Sequence, residues 1–129
     1  MNGITDLTHL LRHMNPERDS TDWAFATGST VPQGVVPFAT VAEAEGLTII
    51  APLQQLQEAG LPCSGPMTRI TLKVHSSLQA VGLTAAFSTA LAQEGISANV
   101  IAGFYHDHIF LPSEMADRAM AALKALSHV

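Results

Sequence analysis

Met67-Thr68-Arg69-Ile70-Thr71-Leu72-Lys73-Val74-His75 alternates in character, with Ile70, Leu72 and Val74 on one face and Arg69, Thr71 and Lys73 on the other. Successive strand residues point to opposite faces, so the alternation predicts a half-buried β-strand. After His75-Ser76-Ser77 the spacing predicts a helix up to Glu94, closed by Gly95, with Leu83, Phe87, Ala90 and Leu91 as its core stripe. Residues 96–105 read as a strand, His106-Asp107 as a tight turn, and His108 to Leu111 as a further strand. Pro112-Ser113 opens a last helix in which Ala116, Ala119, Met120 and Leu123 share a face. Glu114 and Asp117 fall near its N-terminus, where the helix dipole favours carboxylates.

The order is β-α-β-β-α. One more strand completes β-α-β-β-α-β, the ferredoxin-like α+β plan of an antiparallel sheet with helices on one face. Ser127-His128-Val129 is too short to supply that strand. The first half of the chain, for example the segment around Trp23, or a second chain must provide it, which would also cover an exposed sheet edge.

Working back toward the start, Leu7, Leu10, Leu11 and Met14 form one stripe of a short helix over residues 5–14, with Thr5 or Asp6 as cap and Asn15-Pro16 as its end. Residues 17–34 are polar loop, apart from a short strand at Trp23-Ala24-Phe25-Ala26. Residues 36–41 form a predicted strand, Glu43 to Gly46 an acidic turn, and Leu47 to Ile50 a second strand. Pro52 opens a helix through Leu53, Leu56 and Ala59 that stops at Gly60, since proline suits the first helical turn and glycine the residue after the last. Leu61-Pro62-Cys63-Ser64-Gly65-Pro66 has linker composition and marks the internal boundary. Two halves are therefore expected, 1–65 and 66–129, within one continuous compact unit. A strand ending at Pro52 and a strand ending at Pro112 each lead into a helix, and the prolines lie 60 positions apart (112 − 52), which points to an internal duplication.

The totals exclude several classes of function. With 129 residues, 47% hydrophobic and 13% charged, the chain can build a core without disulfides or structural metals. A single cysteine, Cys63, permits neither an internal bridge nor a cysteine-based zinc site. A net charge of −5 with six scattered Lys and Arg offers no footprint for a nucleic-acid backbone. No apolar run approaches the about 20 residues of a membrane span, and the N-terminus lacks an export signal, so a cytoplasmic protein is expected.

The segment from Val81-Gly82-Leu83 through Glu94-Gly95-Ile96 to Val100-Ile101 resembles the Gly–helix–Gly–strand signature of ACT domains, ferredoxin-like modules that bind amino acids and other small metabolites. Phe38-Ala39-Thr40-Val41, Glu45-Gly46-Leu47-Thr48, Val74-His75-Ser76-Ser77-Leu78 and Tyr105-His106-Asp107-His108 further resemble small stand-alone bacterial proteins with two ACT-like halves, similar to the regulatory region of aspartate kinases. The resemblance covers residues 35–126. It implies a non-catalytic regulatory protein, a homodimer whose partner is a small molecule, most simply an amino acid. It also places the ligand at the junction of first strand, first helix and second strand, where two ACT units meet. The corresponding residues are His75, Ser76, Ser77, Leu78, Val81, Gly82 and Leu83, facing Ala98, Asn99, Val100 and Ile101. Gly82 allows close backbone approach, the N–H groups of residues 81–84 can receive a carboxylate, and Asn99 adds an amide. The sequence departs from the family in having Val81 where many members have proline, and in a longer loop. The first half lacks a matching loop and helix and reads as degenerate.

Several residues admit other chemistries. His106-Asp107-His108, with His75 as third ligand, could hold a metal and support a metal-dependent enzyme; a polar hairpin turn with hydrogen-bonded or solvated histidines is the simpler expectation. His75-Ser76-Ser77 lacks the nucleophile elbow of a hydrolase. Glu43 and Glu45 read as a solvated turn, and Cys63, with no cationic neighbour, as inert. Neither cofactor nor metal is expected. The alternative to ligand binding is an ACT fold used only as an interaction surface.

Overall fold

A computed structural model describes residues 6–75 and 81–128 of the chain. It divides into two compact units, Ser20–Thr68 and Met1–Asp19 with Arg69–Val129. The N-terminal segment thus belongs with the second half of the sequence.

Within Ser20–Thr68, β2 (Trp23–Gly28) pairs antiparallel with β4 (Leu47–Pro52), and β4 pairs with β3 (Ala39–Ala42). Helix α2 (Leu53–Glu58) follows Pro52, and β2 also pairs with the start of a long strand, β5 (Cys63–Leu72). The strand order β3-β4-β2-β5 is the ferredoxin-like arrangement, with residues 29–38 in the place of the first helix. Ala24, Ala26, Ile49, Ala51 and Leu56 form this unit's core with Val35 from that loop.

The expected linker is a strand. Proline has no N–H to give to a ladder, which is why Pro66 suggested a break. Here Trp23 faces Met67 while Phe25 faces Ser64, so β5 carries one extra residue, a β-bulge, where Gly65 and Pro66 lie. A Cβ at Gly65 would stand 2.7 Å from the Trp23 carbonyl oxygen, so the close approach requires glycine.

In the other unit β5 continues to Leu72 and is flanked by β1 (Pro16–Arg18) and β7 (Asp107–Pro112), with β6 (Asn99–Ala102) beyond β7. The register Pro16↔Leu72, Glu17↔Thr71 and Arg18↔Ile70 makes β1 the fourth strand of the plan. Those residues were expected to be loop: Pro16-Glu17-Arg18 carries no hydrophobic period, and pairing by backbone groups does not need one. Helix α1 (Leu7–Arg12) starts at Asp6, whose carboxylate accepts the His9 N–H at 3.1 Å, and Thr5 lies outside the described residues. Asn15, at φ 45°, turns the chain into β1.

Ile70, Leu72 and Val74 are buried with Leu83, Phe87 and Leu91 of α3 (Leu83–Gln93) and Ala116, Ala119 and Leu123 of α4 (Ala116–Leu126). Leu10 and Met14 complete this core, both fully buried. The helices cover one sheet face, and Arg69, Thr71 and Lys73 alternate onto the other. A turn of 3-10 helix, Ser113–Met115, precedes α4.

Three element boundaries differ from expectation. Strand β6 is shorter than residues 96–105 because the Gly103 N–H donates to the His106 carbonyl at 2.9 Å, closing a turn over residues 103–106 and putting Asp107 into β7. Strand β3 starts at Ala39 rather than at residue 36. Helix α3 begins at Leu83, because Gly82 takes φ 101° and cannot continue a right-handed helix; residues 76–80 lie outside the described residues. The duplication is visible in the backbone itself. Strands β3 and β6, and β4 and β7, are each offset by 60 residues (99 − 39, 107 − 47). Pro52 and Pro112 share φ −56°, with ψ 133° and 132°.

Candidate functional site

In the unit that contains α3, the end of β5, the start of α3 and the turn between β6 and β7 meet at one end. His75 is half-buried there, with its ring centroid 5.4 Å from Tyr105 and 6.3 Å from Phe104. The His106 ring Nδ1 lies 3.3 Å from the Val74 carbonyl and ties the turn to β5. Phe104 and Tyr105 are 62% and 64% exposed, and Val81 82%, an unusual apolar display for so small a surface.

Gly82 caps α3 in a left-handed conformation, and its carbonyl accepts the first helical N–H, from Ala86, at 2.9 Å. The N–H groups of Leu83, Thr84 and Ala85 therefore have no acceptor within the helix, and the dipole adds partial positive charge there. From the sequence, Gly82 is expected to allow the close approach of a ligand. The structure adds two other reasons: its positive φ, and the Leu7 side chain, 3.1 Å from where a Cβ would stand.

The other expected site residues divide between locations. Leu83 is buried in the core, so only its backbone is offered to the loop end. Ser76, Ser77 and Leu78 lie outside the described residues. Ala98 and Val100 are half-buried against the helix-side core. Asn99 pairs with Phe110 and Ile101 with His108, which puts both on the opposite sheet face, and the Asn99 amide donates to the Phe110 carbonyl at 3.2 Å. Ala98 and Asn99 stand beside the C-terminal end of α3, about 16 Å along its 11 residues from Gly82, whereas Ile101 approaches the 103–106 turn. Phe104 and Tyr105, read as strand in the sequence, are the residues brought to the loop end without having been singled out. The glycine at 103, one residue before the aromatic pair, was the available turn signal.

The open sheet face of the same unit holds a hollow of ≈ 240 Å³ bordered by Glu17, Asp19, Arg69, Lys73, His106 and His108. Arg69 reaches Asp19 Oδ2 through Nη2 at 2.6 Å and Nε at 2.7 Å. Thr71 Oγ1 and His108 Nδ1 share a hydrogen bond of 2.9 Å. Burial holds the His108 pKa below the usual histidine value, and the charges of Arg69, His106 and Lys73 push it the same way. Burial raises the pKa of Asp107, opposed by His106. Among the described residues no three His, Cys, Asp or Glu side chains gather as a metal site, and no helix is long and apolar enough to cross a membrane.

Two four-stranded units with ferredoxin-like strand order define a tandem of small α+β modules. Models of the ACT domain match residues 2–68 and 66–125, and the chain belongs to the ACT-domain family. It is similar to a Vibrio cholerae protein of unknown function, described as a possible transport protein: 48% identity, 94% of this chain and 95% of the other, TM-score 0.85. It is similar in fold to an Agrobacterium tumefaciens protein (13% identity, 83% and 84% covered, TM-score 0.72). The same holds for the regulatory subunit of aspartate kinase from Thermus thermophilus in a ligand-free form (12% identity, 86% and 95% covered, TM-score 0.67). No curated protein matches the sequence.

Proposed function

We propose that this chain is a non-catalytic regulatory protein that binds a small molecule, an amino acid, at the loop end of its second ACT module and works as a cytoplasmic homodimer. The observation that carries the reading is the start of α3. A left-handed glycine leaves the N–H groups of residues 83–85 without helical acceptors, and at the same end of the module the imidazole of His75 stands against the rings of Phe104 and Tyr105. An α-carboxylate suits the N–H groups, and the aromatic pair can cover an apolar side chain. Membership in the ACT family and similarity to a kinase regulatory subunit support a regulatory rather than catalytic role.

The test is a thermal-shift screen of the full chain against the amino acids. A ligand present at 100 times its Kd stabilises the folded chain by about 2.7 kcal/mol, and His75→Ala should reduce that gain. A flat response across the panel would refute amino-acid binding. The exposed Val81, Phe104 and Tyr105 favour a second reading, an interaction surface without a metabolite. In that case Tyr105→Ala should disturb self-association while no amino acid shifts the melt.

A further inference from the structure

We propose that His9 and His13, one turn apart on the exposed side of α1, form a two-histidine chelate for a late first-row transition-metal dication, zinc or copper(II), with water completing its coordination. The site lies on the N-terminal helix and asks nothing of the loop end, so it goes beyond the function proposed above.

Spacing is the first argument. Leu10 in α1 and Met14 just beyond it are fully buried in the core, which fixes the rotation of the helix about its axis. Residues four apart share a helix face, so the same rotation carries His9 and His13 together to the solvent side, where both are exposed. Their ring centroids are 4.1 Å apart and the ring planes 22° apart, a near-parallel stack. Zinc takes imidazole nitrogens at about 2.0–2.1 Å, so two nitrogens on one ion stand at most about 4 Å apart. Rings stacked at that separation need only small side-chain rotations to bind one ion.

The orientation of His13 is the second argument. Its Nδ1 lies 3.0 Å from the His9 carbonyl oxygen, which can only accept, so Nδ1 carries the proton. In the neutral ring Nε2 then holds the lone pair that a metal needs. Metal-ligating histidines are held in this way, one nitrogen donating to a carbonyl while the other binds the ion. Among the described residues no hydrogen bond occupies His13 Nε2 or either ring nitrogen of His9. Asp6 and Arg12 stand three residues before and after His9 and carry opposite charges. The Asp6 carboxylate already accepts the His9 backbone N–H. Net charge therefore contributes little, and imidazole coordination must hold the ion. That chemistry selects late transition metals over magnesium and calcium, which prefer oxygen ligands.

The experiment titrates the full chain with zinc chloride and follows the histidine ring signals by NMR, with calorimetry for stoichiometry and magnesium chloride as the reference. The His9 and His13 signals should move together and saturate in the micromolar range, and magnesium should move neither. Zinc should also raise the thermal midpoint, because the paired geometry exists only in the folded helix. Both side chains are exposed, so His9→Gln and His13→Gln should keep the fold, which circular dichroism checks. Each should weaken zinc binding about tenfold or more, since a lone imidazole loses the effective concentration of its neighbour. His13→Gln retains a side-chain donor for the His9 carbonyl, so a residue that only caps the helix would leave zinc affinity unchanged in that variant. Zinc affinity that survives either replacement, movement of only one of the two ring signals, or saturation only at millimolar zinc overturns the proposal.

Discussion

Replacing Leu10 with alanine tests whether the N-terminal segment is part of the second module's core. Leu10 is fully buried among Met14, Leu72, Phe87 and their neighbours, far in sequence from most of them. Leu→Ala deletes three carbons, and at about 0.8 kcal/mol per buried methylene the transfer loss is about 2 kcal/mol. The residual cavity adds about 24 cal/mol per Å³, bringing the expected cost to about 3–4 kcal/mol. Leu7, one turn earlier on the same helix, is 37% exposed and should cost less than about 1 kcal/mol when truncated. Urea unfolding followed by circular dichroism measures both, read from the midpoints at a common slope. Since domains of this kind are held by about 5–15 kcal/mol, the Leu10 variant should still fold, with a clearly lowered midpoint. A Leu10→Ala midpoint equal to the parent's, or equal losses at Leu7 and Leu10, would refute the assignment of α1 and β1 to this core.

Gly82→Ala forces a side chain into φ 101° and should cost about 1–2 kcal/mol in the same assay; the contact with Leu7 adds little because that side-chain end can move. A neutral result would mean that α3 does not start at a left-handed residue. The depressed pKa of His108 means that the unfolded chain binds its proton more readily, so stability from this group is complete above the ordinary value of 6.5 and declines as pH falls below it. His108→Gln should flatten that part of the stability–pH curve, and an unchanged curve would contradict the burial of the ring. Asp107 has the opposite sign: its raised pKa makes the fold lose stability as pH climbs from the ordinary carboxylate value of 3.8 through the folded value. Asp107→Asn should therefore gain on the parent as pH climbs above that ordinary value, and a constant difference throughout would count against it.

Much of the candidate loop end was readable in the sequence because its parts are local. Gly82 before a helical stripe and His75 at a strand's end are each visible within a few residues, whereas residues 103–105 read as strand. Their convergence was not, since Phe104 and Tyr105 reach His75 only when the 103–106 turn folds back onto the end of β5. The hollow on the sheet face was invisible for the same reason. Glu17, Thr71 and His108 come from three strands, and no spacing along the chain marks them as neighbours.

The sequence by itself determined the types of most elements, the two-fold echo ending at Pro52 and Pro112, and the buried faces of the second half of β5, α3 and α4. Period 2, period 3.6 and helix-start chemistry are consequences of backbone geometry over a few residues. Tertiary structure alone decided that the missing strand is Pro16–Arg18, and that the supposed linker is the first part of β5. Strand pairing is made by backbone groups that every residue carries, so Pro16-Glu17-Arg18 shows no pattern until Leu72, Thr71 and Ile70 stand opposite it. Likewise Gly65-Pro66 reads as a break until a bulge absorbs the extra residue against Trp23 and Phe25.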